Sequence, residues 1–342
     1  TRADFPALVR LSEGSPVGFS YADCQKTQLG DLRFADENGN LLASEVDTYN
    51  PNGESLVWVK VPSLSAGTTK ITAYYGWALA PSVDATNVWS NGYVGVWHLG
   101  ESAAPMAEAS GAGNVFSAAG TGIGFAATGA VGGAVDFSSA GTNAKLTSTD
   151  PSESSTGYDG FADITVEAWT YQTEYKSSGT AYILAKRQGN TSDASYTLYL
   201  NSGNNAGKGI FSISTKGTSA PDAIVGSGAN VLPTLNDWCH QAYVRDASDT
   251  KKAYAFIDGT QKYASGTLTS TDSIYNGTAV LTLGNGHSGG SLFNGLIDEL
   301  RISNVARSAD WIKASHDTVA DSANFATFSR VRSNRSEERR VG

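Results

Sequence analysis

From residue 293 to 303 the chain reads FNGLIDELRIS, and its polar and apolar positions alternate. On an extended strand Leu296, Asp298, Leu300 and Ile302 fall on one side, and Ile297, Glu299, Arg301 and Ser303 on the other. An aspartate thereby shares a side with three aliphatic residues. A carboxylate in that position needs a cation or several donors to offset its desolvation. Two readings follow: Asp298 caps a backbone amide of a loop, or it holds a metal.

Patterning of period two recurs along the chain. Residues 7–11, 31–35, 41–47, 56–62 and 68–75 are predicted strands separated by turn residues. In residues 57–61, Val57, Val59 and Val61 share one face and Trp58 and Lys60 the other, as in a small antiparallel sandwich. Residues 77–92 have few periodic apolar positions and read as a connector. Beyond them strands are predicted at 163–171, 181–187, 195–201, 209–214, 238–245, 253–258, 279–284 and 293–303, with one helix at 308–316. Asn38-Gly39 and Asp258-Gly259 have hairpin-turn chemistry. The expected architecture is all-β: a small antiparallel β-sandwich over 1–76, then a two-sheet jelly roll over 93–322 and a tail over 323–342.

Composition agrees: 38 glycines, 15 tyrosines, 7 tryptophans, one methionine and 17% charged residues suit a turn-rich β protein. A formal charge of −9 argues against a nucleic-acid partner, which needs a basic face. Cys24 is placed in a loop and Cys239 in a core strand, so two free thiols are expected. No apolar run reaches the length of a membrane span. The last eight residues, RSEERRVG, resemble the translation of a sequencing-adapter DNA; without their three arginines and two glutamates the formal charge moves from −9 to −10.

Two family resemblances sit on these blocks. DLRFADENGNLLASEVD followed by LVWVKVPSLSAGTTKITAYYG resembles DUF2341, a β-domain of bacterial surface and secreted proteins. Two departures show. The family's first strand is expected ahead of Thr1, which would leave a sheet edge for another segment to cover, and Trp77 stands where an Asn usually follows YYG. Further on, VGVWHLGE, GAVGGAVDFSS, ITVEAWTY, AYILAKRQGN, YTLYLN, DWCHQAYVR, AYAFIDGTQ and FNGLIDELRISNVARS stand in the order of the LamG-like jelly roll of the concanavalin A-like lectin/glucanase superfamily. The resemblance covers about residues 93–319, with inserts around 152–160 and 217–235.

The resemblance implies a structural Ca²⁺, held by Asp298 and by Glu108, which stands where an early loop acid belongs, with Glu101 within reach. Carbonyls and water would have to complete a shell of six to eight oxygens. The plainer alternative keeps both glutamates as solvated loop acids. Glycosidase chemistry needs two converging carboxyls. Glu45-x-Asp47 imitates half of a glucanase strand motif, but Asn50 replaces its last glutamate, and Glu167 is a lone strand acid. Gly286-His287-Ser288-Gly289-Gly290 fits G-x-S-x-G only formally, since no helix follows to make a nucleophile elbow. His98, His240, His287 and His316 show no metal spacing; His98 and His240 read as satisfied core imidazoles.

Glycan binding needs aromatic faces with polar neighbours. Tyr171, Tyr175, Arg187 and His287 are the expected ligand residues, with Trp77 set apart as a wedge between domains. The resulting expectation is an extracellular or cell-surface bacterial module that binds a polysaccharide or cell-surface glycan without catalysis. Two alternatives stand beside it: a structural or adhesive subunit assembling with copies of itself or other surface proteins, and a polysaccharide-cleaving enzyme.

Overall fold

The computed structural model describes residues 2–65, 67–148, 157–176, 178–188, 192–200, 208–218, 221, 223–226, 233–248, 252–265, 268 and 270–328. The adapter-like stretch 335–342 and parts of the two expected inserts lie outside the described residues. The chain forms two compact units, Gly92–His316 and, on either side of it in sequence, Thr1–Asn91 with Asp317–Gly342. The boundary expected at 322 therefore moves to 316, and part of the expected tail belongs to the first unit.

The first unit contains β1 (Arg2–Ser12), β2 (Arg33–Ala35), β3 (Leu41–Leu42), β4 (Ser44–Thr48), β5 (Glu54–Leu64) and β6 (Thr72–Tyr74). They make two three-stranded sheets, ordered β1-β5-β4 and β3-β2-β6. Val9, Leu11, Phe19, Leu29, Phe34, Leu42, Val57 and Val59 form its core. The strand of alternating valines is buried on both faces rather than one, because Trp58 packs edge-on against Trp89 at 5.5 Å. Two helices close the described chain, α1 (Ala309–Ala320) and α2 (Ser322–Phe325). Past residue 316 they cover the free flank of β1. The Leu8 amide donates to Thr318 Oγ1 at 2.8 Å, and the Phe325 ring lies 6.0 Å from that of Phe5. The flank of β1 is thus met by a later segment of the same chain.

The second unit is the jelly roll. Its strands are β7 (Tyr93–Trp97), β8 (Ser117–Ala119), β9 (Gly124–Thr128), β10 (Gly133–Asp136), β11 (Lys145–Ser148), β12 (Ile164–Gln172), β13 (Ala181–Gln188) and β14 (Ser192–Leu200). There follow β15 (Gly209–Gly217), β16 (Ala223–Val225), β17 (Trp238–Asp246), β18 (Lys252–Ile257), β19 (Thr260–Ala264), β20 (Leu281–Leu283) and β21 (Gly295–Ser303). An eight-stranded sheet runs β19-β18-β17-β12-β21-β10-β9 with β7 also on β21, and a seven-stranded sheet runs β16-β15-β14-β13-β20-β11-β8. Between them lies one core that includes Trp97, Phe116, Phe137, Val166, Ile183, Leu198, Phe211, Tyr243, Leu283, Ile297, Leu300 and Ile302. Gly284, at φ +80°, lets the Phe137 ring lie against its backbone, where a Cβ would stand 2.3 Å from the ring.

The strand that closes this core does not alternate as its sequence does. Glu167 of β12 pairs with Arg301, but Trp169 pairs with Asp298, so β21 carries an extra residue at Glu299–Leu300. Glu299 takes φ +50° to absorb it. Ile297, Leu300 and Ile302 face the core, while Leu296 and Asp298 lie opposite Tyr171 and Trp169 on the outer face. Asp298 therefore does not share a side with Leu300 and Ile302.

Candidate functional site

Of the expected metal ligands, Glu101 and Glu108 lie in the segment between β7 and β8, and Asp298 lies on β21. Asp298 is fully buried, and its Oδ2 accepts from the Val131 amide at 2.8 Å. Gly129 must be glycine there, since a Cβ would stand 2.6 Å from that oxygen. Glu108 fastens its own loop: Oε1 accepts from Val96 at 2.9 Å and Ser110 at 2.7 Å, and Oε2 from Gly113 at 3.2 Å. Glu101 Oε1 accepts from Ala107 at 2.6 Å, whereas its Oε2 is buried without a hydrogen bond among the described residues. Neighbouring Gly100 packs on the backbone of Gly133, which in turn crowds Gly129 beside Asp298.

The two acids that imitate half of a glucanase motif are both engaged by tryptophans. Glu45 Oε2 accepts from the Trp89 indole at 2.6 Å and Asp47 Oδ2 from the Trp58 indole at 3.2 Å. Both acids thus satisfy buried tryptophans. Glu167 is buried on the outer face of β12, with its Oε2 3.4 Å from His240 Nε2. Burial pushes its carboxyl up, but His240 and the charges of Arg301 and Arg307 hold it below the usual range. Burial likewise raises Glu299, and His98 at 2.6 Å with Arg301 at 2.6 Å overrides it, so that carboxyl too lies below the usual range. Arg307 is held between the rings of Tyr93 at 4.6 Å and Trp311 at 4.1 Å. His98 and His240 are thus carboxylate partners on the outer face. These groups form a polar cluster on the outer face of the eight-stranded sheet.

The loop with the G-x-S-x-G pattern is shaped by Asn285, which sequence reasoning passed over. Its amide nitrogen donates to Thr142 and Ala144 carbonyls at 2.8 and 3.0 Å, and its Oδ1 accepts from Gly286 and Ser291 amides at 2.8 and 3.0 Å. Lys145 Nζ donates to the His287 carbonyl. The loop is thereby laid along Tyr182, whose ring comes within about 3 Å of where a Gly286 Cβ would stand (3.1 Å).

Tyr182 pairs across strands with Tyr199, and their rings meet at 5.4 Å and 51°. Tyr199 alternates with the core residues Leu198 and Leu200, so both rings stand on the outer face of the seven-stranded sheet. Burial raises the Tyr199 hydroxyl above the usual tyrosine value, Ser212 and the charge of Arg187 oppose the rise, and Tyr182 adds to it. Arg187 and the His287 loop, two of the four expected ligand positions, are therefore gathered around a tyrosine pair that sequence reasoning missed. Tyr171 and Tyr175 lie elsewhere: Tyr171 packs on Trp238 at the end of β12, and the Tyr175 hydroxyl donates to the Pro233 carbonyl at 2.9 Å. Trp77 is 57% exposed.

A two-sheet sandwich of this strand order defines a concanavalin A-like jelly roll. The chain belongs to the concanavalin A-like lectin/glucanases superfamily, whose Laminin_G_3 model matches residues 140–313. The model of DUF2341, a domain of unknown function, matches residues 28–93. No curated protein sequence matches the chain. Among solved structures it is similar to domain 4 of AbnA, a GH43 extracellular arabinanase from Geobacillus stearothermophilus, in complex with arabinotriose: 16% identity over 65% of this chain and 96% of that one, TM-score 0.46. It is also similar to the binding domain of botulinum neurotoxin DC in complex with rat synaptotagmin II, at 9% identity over 67% of this chain and 52% of that one, TM-score 0.48. The botulinum neurotoxin serotype D binding domain stands at 10% identity, 66% and 50% coverage and TM-score 0.49. The match thus spans about half of each neurotoxin domain. Among the described residues no helix is long and apolar enough to cross a membrane.

Proposed function

We propose that the jelly roll is a non-catalytic glycan-binding module of an extracellular or cell-surface protein, taking a polysaccharide or cell-surface glycan on the outer face of its seven-stranded sheet. The observation that carries this reading is the Tyr182–Tyr199 pair beside Arg187 and the His287 loop. A pyranose ring presents a C–H face to aromatic rings and hydroxyls to a guanidinium and loop carbonyls, and the rigid strands hold the rings without an ordering cost. A structural calcium, if bound, would be held by Glu101 and Asp298. Glu101 Oε2 is buried and unbonded among the described residues, both donors are carboxylate oxygens, and the metal's contribution would be to tie the segment after β7 to β21. Glu108 already spends its oxygens on three amides.

The test is a glycan array probed with and without EDTA, using the full chain and Tyr199→Ala. Binding by the native chain that Tyr199→Ala abolishes is the expected result. An array blank under both conditions would sink the reading, and reducing-sugar release from a bound polysaccharide would replace it with an enzyme.

A further inference from the structure

We infer that the module carries a second glycan platform, Tyr171 with Trp238, on the outer face of its other sheet, and so bridges two glycan chains. The inference rests on the glycan reading above and extends it from one site to two.

The outer face of the eight-stranded sheet carries a row of ring pairs set directly opposite one another on β12 and β17. Trp169 pairs with His240 and, two residues along, Tyr171 pairs with Trp238. The first pair is covered: His316 of α1 stacks on Trp169 at 5.7 Å and 18°, leaving Trp169 and His240 buried. The second pair continues the row, its rings 5.8 Å apart at 63°, and both side chains keep part of their surface in solvent.

Polar groups rim this uncovered pair. Asn294 accepts from Thr173 Oγ1 at 2.9 Å and donates to Glu174 Oε1 at 2.9 Å, and exposed Asp237 precedes Trp238. The rim is tied to β12 through Thr173 to the Asn294 carbonyl at 3.2 Å and Asn236 to the Gln172 carbonyl at 2.8 Å. Two aromatic faces bordered by an amide and two carboxylates match a neutral sugar, whose C–H surface stacks while its hydroxyls donate to the acids. An anionic glycan is disfavoured by the same carboxylates.

The two tyrosine-bearing faces look away from each other, with the whole core between them, since sheets packed face to face are about 10 Å apart. One short oligosaccharide cannot touch both, and two chains held by one module are cross-linked, with the gain in avidity that two tethered sites bring.

The experiment uses the full chain with laminarin, xylan, arabinan and mucin, and with short oligosaccharides of the first three. Calorimetry is expected to count two oligosaccharide sites per chain in the native protein and one in Trp238→Ala or in Tyr199→Ala. The native chain is expected to precipitate its polymer, and either variant to bind it without precipitation. Glu174→Ala, an exposed change that leaves the rings in place, is expected to weaken the second site several-fold, and it decides the matter if Trp238→Ala does not fold. One site per chain in the native protein, or unchanged precipitation by a folded Trp238→Ala, overturns the second platform and leaves the first standing. Binding to none of the four polymers overturns both.

Discussion

The backbone amide of Leu8 and the hydroxyl of Thr318 are joined by a 2.8 Å hydrogen bond across 310 positions of sequence. An edge strand offers unpaired amides to any passing strand, and here the flank of β1 is met by the end of α1 and by α2. Arg10 adds a bond to the Val319 carbonyl at 3.3 Å. This covering takes away one argument for assembly through an open sheet edge.

Thr318 is fully buried, so Thr318→Val keeps its shape and strands the Leu8 amide. An orphaned buried donor costs about 1–3 kcal/mol, which Thr318→Ser should largely restore. Hydrogen exchange at the Leu8 amide should accelerate in the valine variant and stay near native in the serine one. Equal protection in all three would mean that another group caps this edge.

Asp31 is the hub of the first unit. Its carboxylate accepts from the amides of Gln25, Lys26, Gly76 and Trp77 at 2.9, 3.3, 2.8 and 3.1 Å. Burial pushes the carboxyl up, but the amides of Gln25, Gly76 and Lys26 outweigh it and hold it below the usual aspartate range. A depressed carboxyl contributes stability that is present above the ordinary value of about 3.9 and is lost as pH falls through the lower folded value. Asp31→Ala should therefore cost about 2 kcal/mol or more at pH 7 by denaturant unfolding, and the gap to the native chain should narrow in strong acid. A gap constant with pH would contradict this account.

Lys186 and Asp159 form an ion pair of 2.9 Å with both side chains fully buried. Lys186 Nζ also donates to the Gly277 and Ala279 carbonyls at 2.8 and 3.0 Å, and Ser195 donates to Asp159 at 2.5 Å. Removing one partner leaves a buried charge alone, so Lys186→Met should destabilise the jelly roll by about 3–5 kcal/mol. The double variant Lys186→Met with Asp159→Asn should lose less than Lys186→Met alone, as read from unfolding midpoints. A double variant as unstable as the sum of the two singles would show that the charges act independently.

If calcium bridges Glu101 and Asp298, EDTA should lower the melting temperature of the native chain by several degrees, as loss of a bound ion worth about 1–2 kcal/mol would. Glu101→Gln should blunt that response and leave glycan binding on the tyrosine face intact. A melting curve indifferent to EDTA and to added calcium would remove the ion.

Alternation and turn residues made the strands legible: the eight jelly-roll strands expected beyond residue 160 all appear, each with ends shifted by a few residues. The phase of β21 was not legible, because a bulge costs one residue and leaves no mark in the pattern when the residue at positive φ is Glu299 rather than glycine. The site was half legible for a related reason. Arg187 and His287 could be named from their places at a strand end and in a loop. The partnership of Tyr182 with Tyr199, like that of Tyr171 with Trp238, depends on which strands become neighbours and in what register. That is non-local information, and single-strand periodicity does not contain it.

The first unit is interrupted in sequence by the whole of Gly92–His316. During synthesis its sheets emerge before the jelly roll, but the residues that cover β1 emerge only after the jelly roll has been made. At about 5–20 residues per second the ribosome leaves that edge uncovered for roughly ten to forty-five seconds. In that interval the nascent chain is at its most exposed to strand pairing with a neighbour, and a jelly roll that folds promptly shortens nothing: only the arrival of Thr318 ends it.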